Sequence, residues 1–216
     1  RVETPPPEVL MDRAAMFLHA GLPAEAANTL GLITESSVDQ SILSAAHLLR
    51  ARALDAMGMH TNALAELAAV QTDNGTASAD SRALAMAMEA FILAADGNAA
   101  QAVVVADNAV KTAESATVKL ECEIELVRVL SQFGIADRTA EGTRRLVSMM
   151  PGSEAVARAV GDAADNLLAA GLYGEALAEY TLLISSFAQK TIEARAQHGR
   201  GRALMGLKRY AESAAA

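Results

Sequence analysis

Four arginines in the second half of the chain, Arg128, Arg158, Arg195 and Arg202, stand 30, 37 and 7 residues apart. A guanidinium is planar, permanently charged and presents paired N–H donors, so several of them facing one way suit carboxylates or acidic peptide segments. The interval of 37 recurs as the sum of its two neighbours, which points to a repeating element that sets all four positions.

Other reactive residue types are sparse. The four histidines, His19, His47, His60 and His198, are scattered, and only His60 sits near a turn signal. No HExxH, CxxC, GxSxG or GxxxxGK[ST] spacing occurs, so catalysis and a bound cofactor or metal are not expected. Cys122 lies beside Glu121, Glu123 and Glu125. Carboxylates there disfavour a thiolate, which points to a packed or half-exposed, inert cysteine. Glutamates at a spacing of two cannot share one helical face, so they read as a solvated helix surface rather than a metal site.

The elements that would position the arginines are helices. The chain has 216 residues, is 52% hydrophobic and only 3% aromatic, and has 5 prolines, a balance that suits an all-α fold. The net charge of -8 excludes general nucleic-acid binding, since no excess of cations is available to displace counterions from phosphates. Residues 1–108 carry 5 Lys/Arg against 13 Asp/Glu, whereas residues 109–216 carry 13 against 13, so an acidic end and a neutral, arginine-richer end follow. No apolar run is long enough to span a membrane. One cysteine fixes no compartment. The start RVETPPPEV has no apolar signal core, and the chain ends in ESAAA in mid-pattern. It reads as a piece of a longer protein, with residues 1–6 as a linker or disordered start.

The stretch AAGLYGEALAEY at 169–180 exposes the repeat. Its Gly171 recurs as Gly134, Gly97, Gly58 and Gly21, at gaps of 37, 37, 39 and 37, and a further step of 37 lands on Lys208. Four residues before each pivot is an apolar residue: Phe17, Leu54, Leu93, Leu130, Leu167 and Leu204. Five after it is a small one: Ala26, Ala63, Ala102, Thr139, Ala176 and Ser213. Nine after it come Leu30, Leu67, Ala106, Thr143 and Tyr180, a weaker series. Apolar spacing of three and four on both sides of a short turn describes a helix-turn-helix unit, so eleven helices and a truncated twelfth are expected.

This pattern resembles the tetratricopeptide repeat (TPR): a small residue, Leu, Gly, Tyr, Ala and a further aromatic, with Pro151 where the fourth copy closes. The period exceeds the common 34, and sequences such as DNGTAS and PGS supply longer turns between copies. The resemblance covers about residues 7–216 and implies a right-handed α-solenoid of about six repeats. It also implies a concave groove lined by the first helix of each hairpin. Residues six before each pivot would face it: Ala15, Arg52, Phe91, Arg128, Asp165 and Arg202. Two turns earlier come Glu8, Ala45, Leu84, Glu121, Arg158 and Arg195. The candidate partner-binding residues are therefore Arg52, Leu84, Phe91, Arg128, Arg158, Asp165, Arg195 and Arg202. Family members that clamp chaperone C-termini carry a lysine and asparagines where this chain has Met11, Ala15 and Leu48, so chaperone docking is not expected.

The expected function is a non-catalytic scaffold that binds a peptide or partner domain. The alternative is a self-assembling structural module of a larger bacterial envelope protein, associating through an exposed terminal repeat. The last copies resemble hairpins of bacterial envelope proteins, and the ETPPPE start suits a linker leaving a membrane anchor or signal sequence. A periplasmic or cell-envelope setting is favoured over a cytoplasmic one.

Overall fold

In a computed structural model, residues 5–33, 39–72, 77–187 and 190–214 are described. The expected linker therefore lies largely outside the described residues, as does most of DNGTAS. Twelve helices and no strand occur among the described residues: α1 (Pro7–His19), α2 (Pro23–Leu30), α3 (Gln40–Ala56), α4 (His60–Thr72), α5 (Ala79–Ala95), α6 (Ala99–Thr112), α7 (Ala116–Gln132), α8 (Ala136–Met149), α9 (Glu154–Ala169), α10 (Tyr173–Ser186), α11 (Lys190–Gly206) and the four-residue α12 (Tyr210–Ser213). They form six consecutive hairpins, an all-α helical repeat of the solenoid class.

One turn is used six times. Gly21, Gly58, Gly97, Gly134 and Gly171 all have φ between 66° and 80°, and Lys208, at the sixth pivot, has φ 61°. Each pivot N–H bonds the carbonyl three residues back, and the next N–H bonds the carbonyl five back. In the fifth hairpin these are Gly171 to Leu168 at 3.1 Å and Leu172 to Leu167 at 3.0 Å. This double bond is a Schellman closure, which satisfies otherwise orphaned carbonyls at a helix end and requires a left-handed residue. The apolar residue four before the pivot thus has two roles. Its side chain packs inward, and its carbonyl accepts the closing bond. The second helix then begins two residues after every pivot.

The small residue five after the pivot lies where the two helices of a hairpin meet. Ala26, Ala63, Ala102, Thr139 and Ala176 are all fully buried. The weaker series nine after the pivot, Leu30, Leu67, Ala106, Thr143 and Tyr180, is buried as well. Four of the first helices, α3, α5, α7 and α9, start from side-chain caps: oxygens of Asp39, Ser78, Ser115 and Ser153 accept from backbone N–H groups at 3.0–3.5 Å.

The chain divides into two compact units, residues 1–119 and 120–216. In the first, Ala51, Leu54, Ala63, Leu67, Val70, Ala85 and Ile92 make an aliphatic core of α3, α4 and α5. In the second, Val127, Leu146, Val160, Leu167, Tyr180 and Leu183 pack one core across α7 to α10. Glycines inside helices admit large neighbours here. A Cβ on Gly199 would lie 2.2 Å from the Tyr180 ring, and one on Gly206 would lie 2.5 Å from the Tyr173 ring.

Two helical glycines of the second unit should therefore respond in opposite directions. Gly199→Ala forces the buried Tyr180 ring aside and is expected to cost about 1–3 kcal/mol of overpacking. Gly174→Ala meets nothing within 4 Å and should gain about 0.5 kcal/mol from helix propensity. Thermal denaturation of the two variants checks the packing, and a stable Gly199→Ala protein would contradict it.

Candidate functional site

The second unit brings five of the eight candidate residues onto one helix row. Arg128 and Arg158 line a cleft of about 250 Å³ between α7 and α9, together with Ile124, Ala155, Ala159 and Asp162. Asp165, Arg195 and Arg202 line a second cleft of about 330 Å³ between α9 and α11, with Leu168, Ala169, His198 and Gly199. Both clefts lie between consecutive first helices, where the repeat register puts them. In the first unit Arg52 lines a comparable cleft of about 240 Å³ between α1 and α3, with Ala15, Leu18, His19 and Leu49. Leu84 is half-buried on α5 and Phe91 is exposed one register position on.

The arginines differ in how far their charge is already spent. Arg195 is held on both sides: its Nη2 donates to Asp162 Oδ1 at 2.7 Å and to Asp165 Oδ2 at 2.5 Å, and its Nε donates to Asp165 at 3.2 Å. Burial alone would lower its pKa, but the two aspartates outweigh burial and raise it. Gly161 makes room for this arrangement, since a Cβ there would stand 3.3 Å from Arg195 Nη1. The Tyr180 hydroxyl donates to the other oxygen of Asp165 from the core side. Burial, and then that bond, push the Tyr180 pKa up, so the phenol stays a proton donor. Arg195 thus clasps α11 to α9.

Arg158 and Arg202 are less engaged. Arg158 approaches Glu154 only at 4.0 Å, with both side chains about two-thirds exposed. A pair of this kind contributes little and is easily exchanged. Arg202 makes no ion pair among the described residues and is exposed. Arg128 donates to Glu125 Oε2 at 3.1 Å.

The expected solvated glutamate surface on α7 is not found. Glu121 is exposed, but Glu123 is 3% exposed and accepts from Arg145 Nε of α8. Glu125 is largely enclosed, and its Oε1 has no hydrogen-bond partner among the described residues. Cys122 is fully buried, in keeping with an inert thiol.

The reading of α7, α9 and α11 missed Asp162, Gly161 and the polar role of Tyr180. Their signal lies in register: Asp162 and Asp165 share one face at a spacing of three, and Gly199 stands one repeat after Asp162.

The comparisons with known proteins bear on the fold. No family model matches the chain, and no curated protein does. Among solved structures, it is similar to a tetratricopeptide repeat protein from Parabacteroides merdae ATCC 43184. The TM-score is 0.64 at 13% identity, over 97% of this chain and 76% of that one. The TPR domain of P58(IPK) aligns at a TM-score of 0.43 and 19% identity, over 94% of this chain and 56% of that one, too low to carry weight. The fold is TPR-like. Among the described residues, no helix is long and apolar enough to cross a membrane.

Glu125 predicts a pH dependence of stability. Burial raises its pKa from 4.5 to about 7, against a smaller opposing pull from Arg128. Below about 4.5 both folded and unfolded states hold the proton; between 4.5 and about 7 only the folded state does, so stability falls as pH rises. Above that range the penalty is constant, about 3 kcal/mol. Glu125→Gln removes it, so the gain in stability over the parent protein should grow from acidic to mildly alkaline pH. Urea denaturation across that range checks this, and a gain independent of pH would refute the assignment.

Proposed function

We propose that this TPR-like repeat is a non-catalytic scaffold, and that its second unit binds an acidic peptide segment, or an acidic loop of a partner domain, along α7, α9 and α11. One observation carries the reading: two adjoining clefts on that face each offer an arginine whose charge is not committed, Arg158 in one and Arg202 in the other. Exposed cations on a preformed face can exchange water and weak intramolecular contacts for a ligand carboxylate at little ordering cost. The apolar lining from Ile124, Ala155, Ala159, Leu168 and Ala169 adds contact area for the ligand backbone and small side chains. Arg128 can join once its bond to Glu125 weakens. Arg195 serves by fixing the spacing of α9 and α11.

The acidic first unit does not share this charge, and Arg52 in its cleft is an isolated cation among apolar residues and His19. The self-assembly alternative and a cell-envelope location rest on the character of the terminal repeats. Met205 and Tyr210, more than half exposed near the last pivot, favour the former.

The test is calorimetric titration of a capped peptide with the core Glu-Ser-Ser-Ser-Glu. Binding to the parent protein should weaken as salt is raised and fall about tenfold or more in the double variant Arg158→Glu, Arg202→Glu. Arg144→Glu, on α8 and outside both clefts, should bind as the parent does. Equal affinity in the parent and double variant, or no binding to the parent, would overturn the proposal.

A further inference from the structure

The charge along this face alternates in sign. Arg128 and Arg158 stand with Asp162 in the cleft on one side of α9, and Arg202 stands with Asp165 and Arg195 in the cleft on the other. Asp162 and Asp165, about one and two turns along α9 from Arg158, together face one arginine, Arg195, so this pair carries one negative charge in excess. That excess is accessible. The Asp162 side chain is 52% exposed and that of Asp165 is 44% exposed. Asp165 is the more fully engaged of the two, bonded to both Arg195 and Tyr180, whereas Asp162 accepts one bond from Arg195. The free acceptor capacity of the cluster therefore lies mainly on Asp162.

A surface that reads positive, negative, positive does not favour a plain run of acidic residues. A carboxylate above Asp162 would meet a like charge, whereas an ammonium or guanidinium there would be attracted. We propose that the segment this face recognises is an extended peptide in which two acidic side chains flank a basic one. The acids occupy the Arg158 and Arg202 clefts, and the basic group lies over Asp162.

The fold also sets the spacing. Arg158 and Arg202 belong to neighbouring first helices, whose axes pack about 8–10 Å apart. Arg202 stands seven residues further along its own repeat, about 10 Å of helix rise. Their backbones are thus separated by about 13 Å, which an extended strand covers in four residues at about 3.3 Å each. In a strand, residues two and four apart share a face. The pattern is acidic, any, basic, any, acidic, with the three charged residues facing the protein together. An even spacing is required, because an odd one would turn one charge to solvent.

This inference rests on the proposed function but can fail separately. Calorimetric titrations would use capped seven-residue peptides with cores Glu-Ser-Lys-Ser-Glu, Glu-Ser-Ser-Ser-Glu and Glu-Ser-Glu-Ser-Glu at fixed ionic strength. The lysine-centred peptide is expected to bind tightest, about threefold tighter than the serine-centred one. The triple-glutamate peptide should bind weakest despite its larger negative charge. Asp162→Asn, a substitution on an exposed side chain that leaves the Asp165 bonds in place, should abolish the preference for lysine while leaving the need for the two acids. If the triple-glutamate peptide binds as tightly as the lysine-centred one, or if Asp162→Asn leaves the preference intact, the alternating-charge inference is wrong and simple acidic recognition stands. If none of the three binds, both fall.

Discussion

The left-handed turn is the constraint on which the rest of this structure depends. At each pivot the chain ends one helix and starts the next within two residues, and the two closing hydrogen bonds fix the direction of departure. A residue at positive φ is needed for that, which costs a residue with a side chain about 1–2 kcal/mol and glycine almost nothing. Because the turn is the same in every hairpin, the residues at fixed distances from it fall in equivalent places. Arg158 and Arg195 are equivalent in this sense, as are Arg128, Asp165 and Arg202. The clefts follow from that equivalence, not from any local motif.

The second unit adds a layer of its own. Tyr180 is fully buried in a core otherwise made mainly of aliphatic side chains, and Gly199 exists in a form that admits its ring. Its hydroxyl reaches Asp165, which holds Arg195, which in turn holds Asp162. Core packing and groove electrostatics are thereby joined through one phenol. A buried phenol without a partner would be destabilising, and an unpaired pair of aspartates would repel. The network satisfies both and leaves one acidic charge in excess on α9.

The hairpin architecture was legible in the chain because few residue types can occupy its special positions. Gly171 and its counterparts, the small residue at Ala176, and the apolar residue at Leu167 each answer a steric demand that can be recognised without coordinates. Lys208 shows the limit: it keeps the left-handed turn without glycine, and only the period revealed it. Candidate groove residues were legible to the level of which face they share. Which arginines are free was not, because it depends on acids delivered by a neighbouring helix. Arg195 meets Asp162 and Asp165 across thirty or more residues of sequence, and nothing in its local surroundings signals that. Glu123 was misplaced for the same reason, since its burial depends on Arg145 from α8.

A division of labour among similar arginines is the central claim: Arg195 builds the face, and Arg158 and Arg202 read it. Side-chain Nε–H resonances of arginine report this directly. On addition of a capped Glu-Ser-Lys-Ser-Glu peptide, the resonances of Arg158 and Arg202 should shift with a common saturation curve, while that of Arg195 stays in place because its aspartate bonds persist. A shift at Arg195 as large as those at Arg158 and Arg202, or shifts spread evenly over arginines outside the two clefts, would contradict the account.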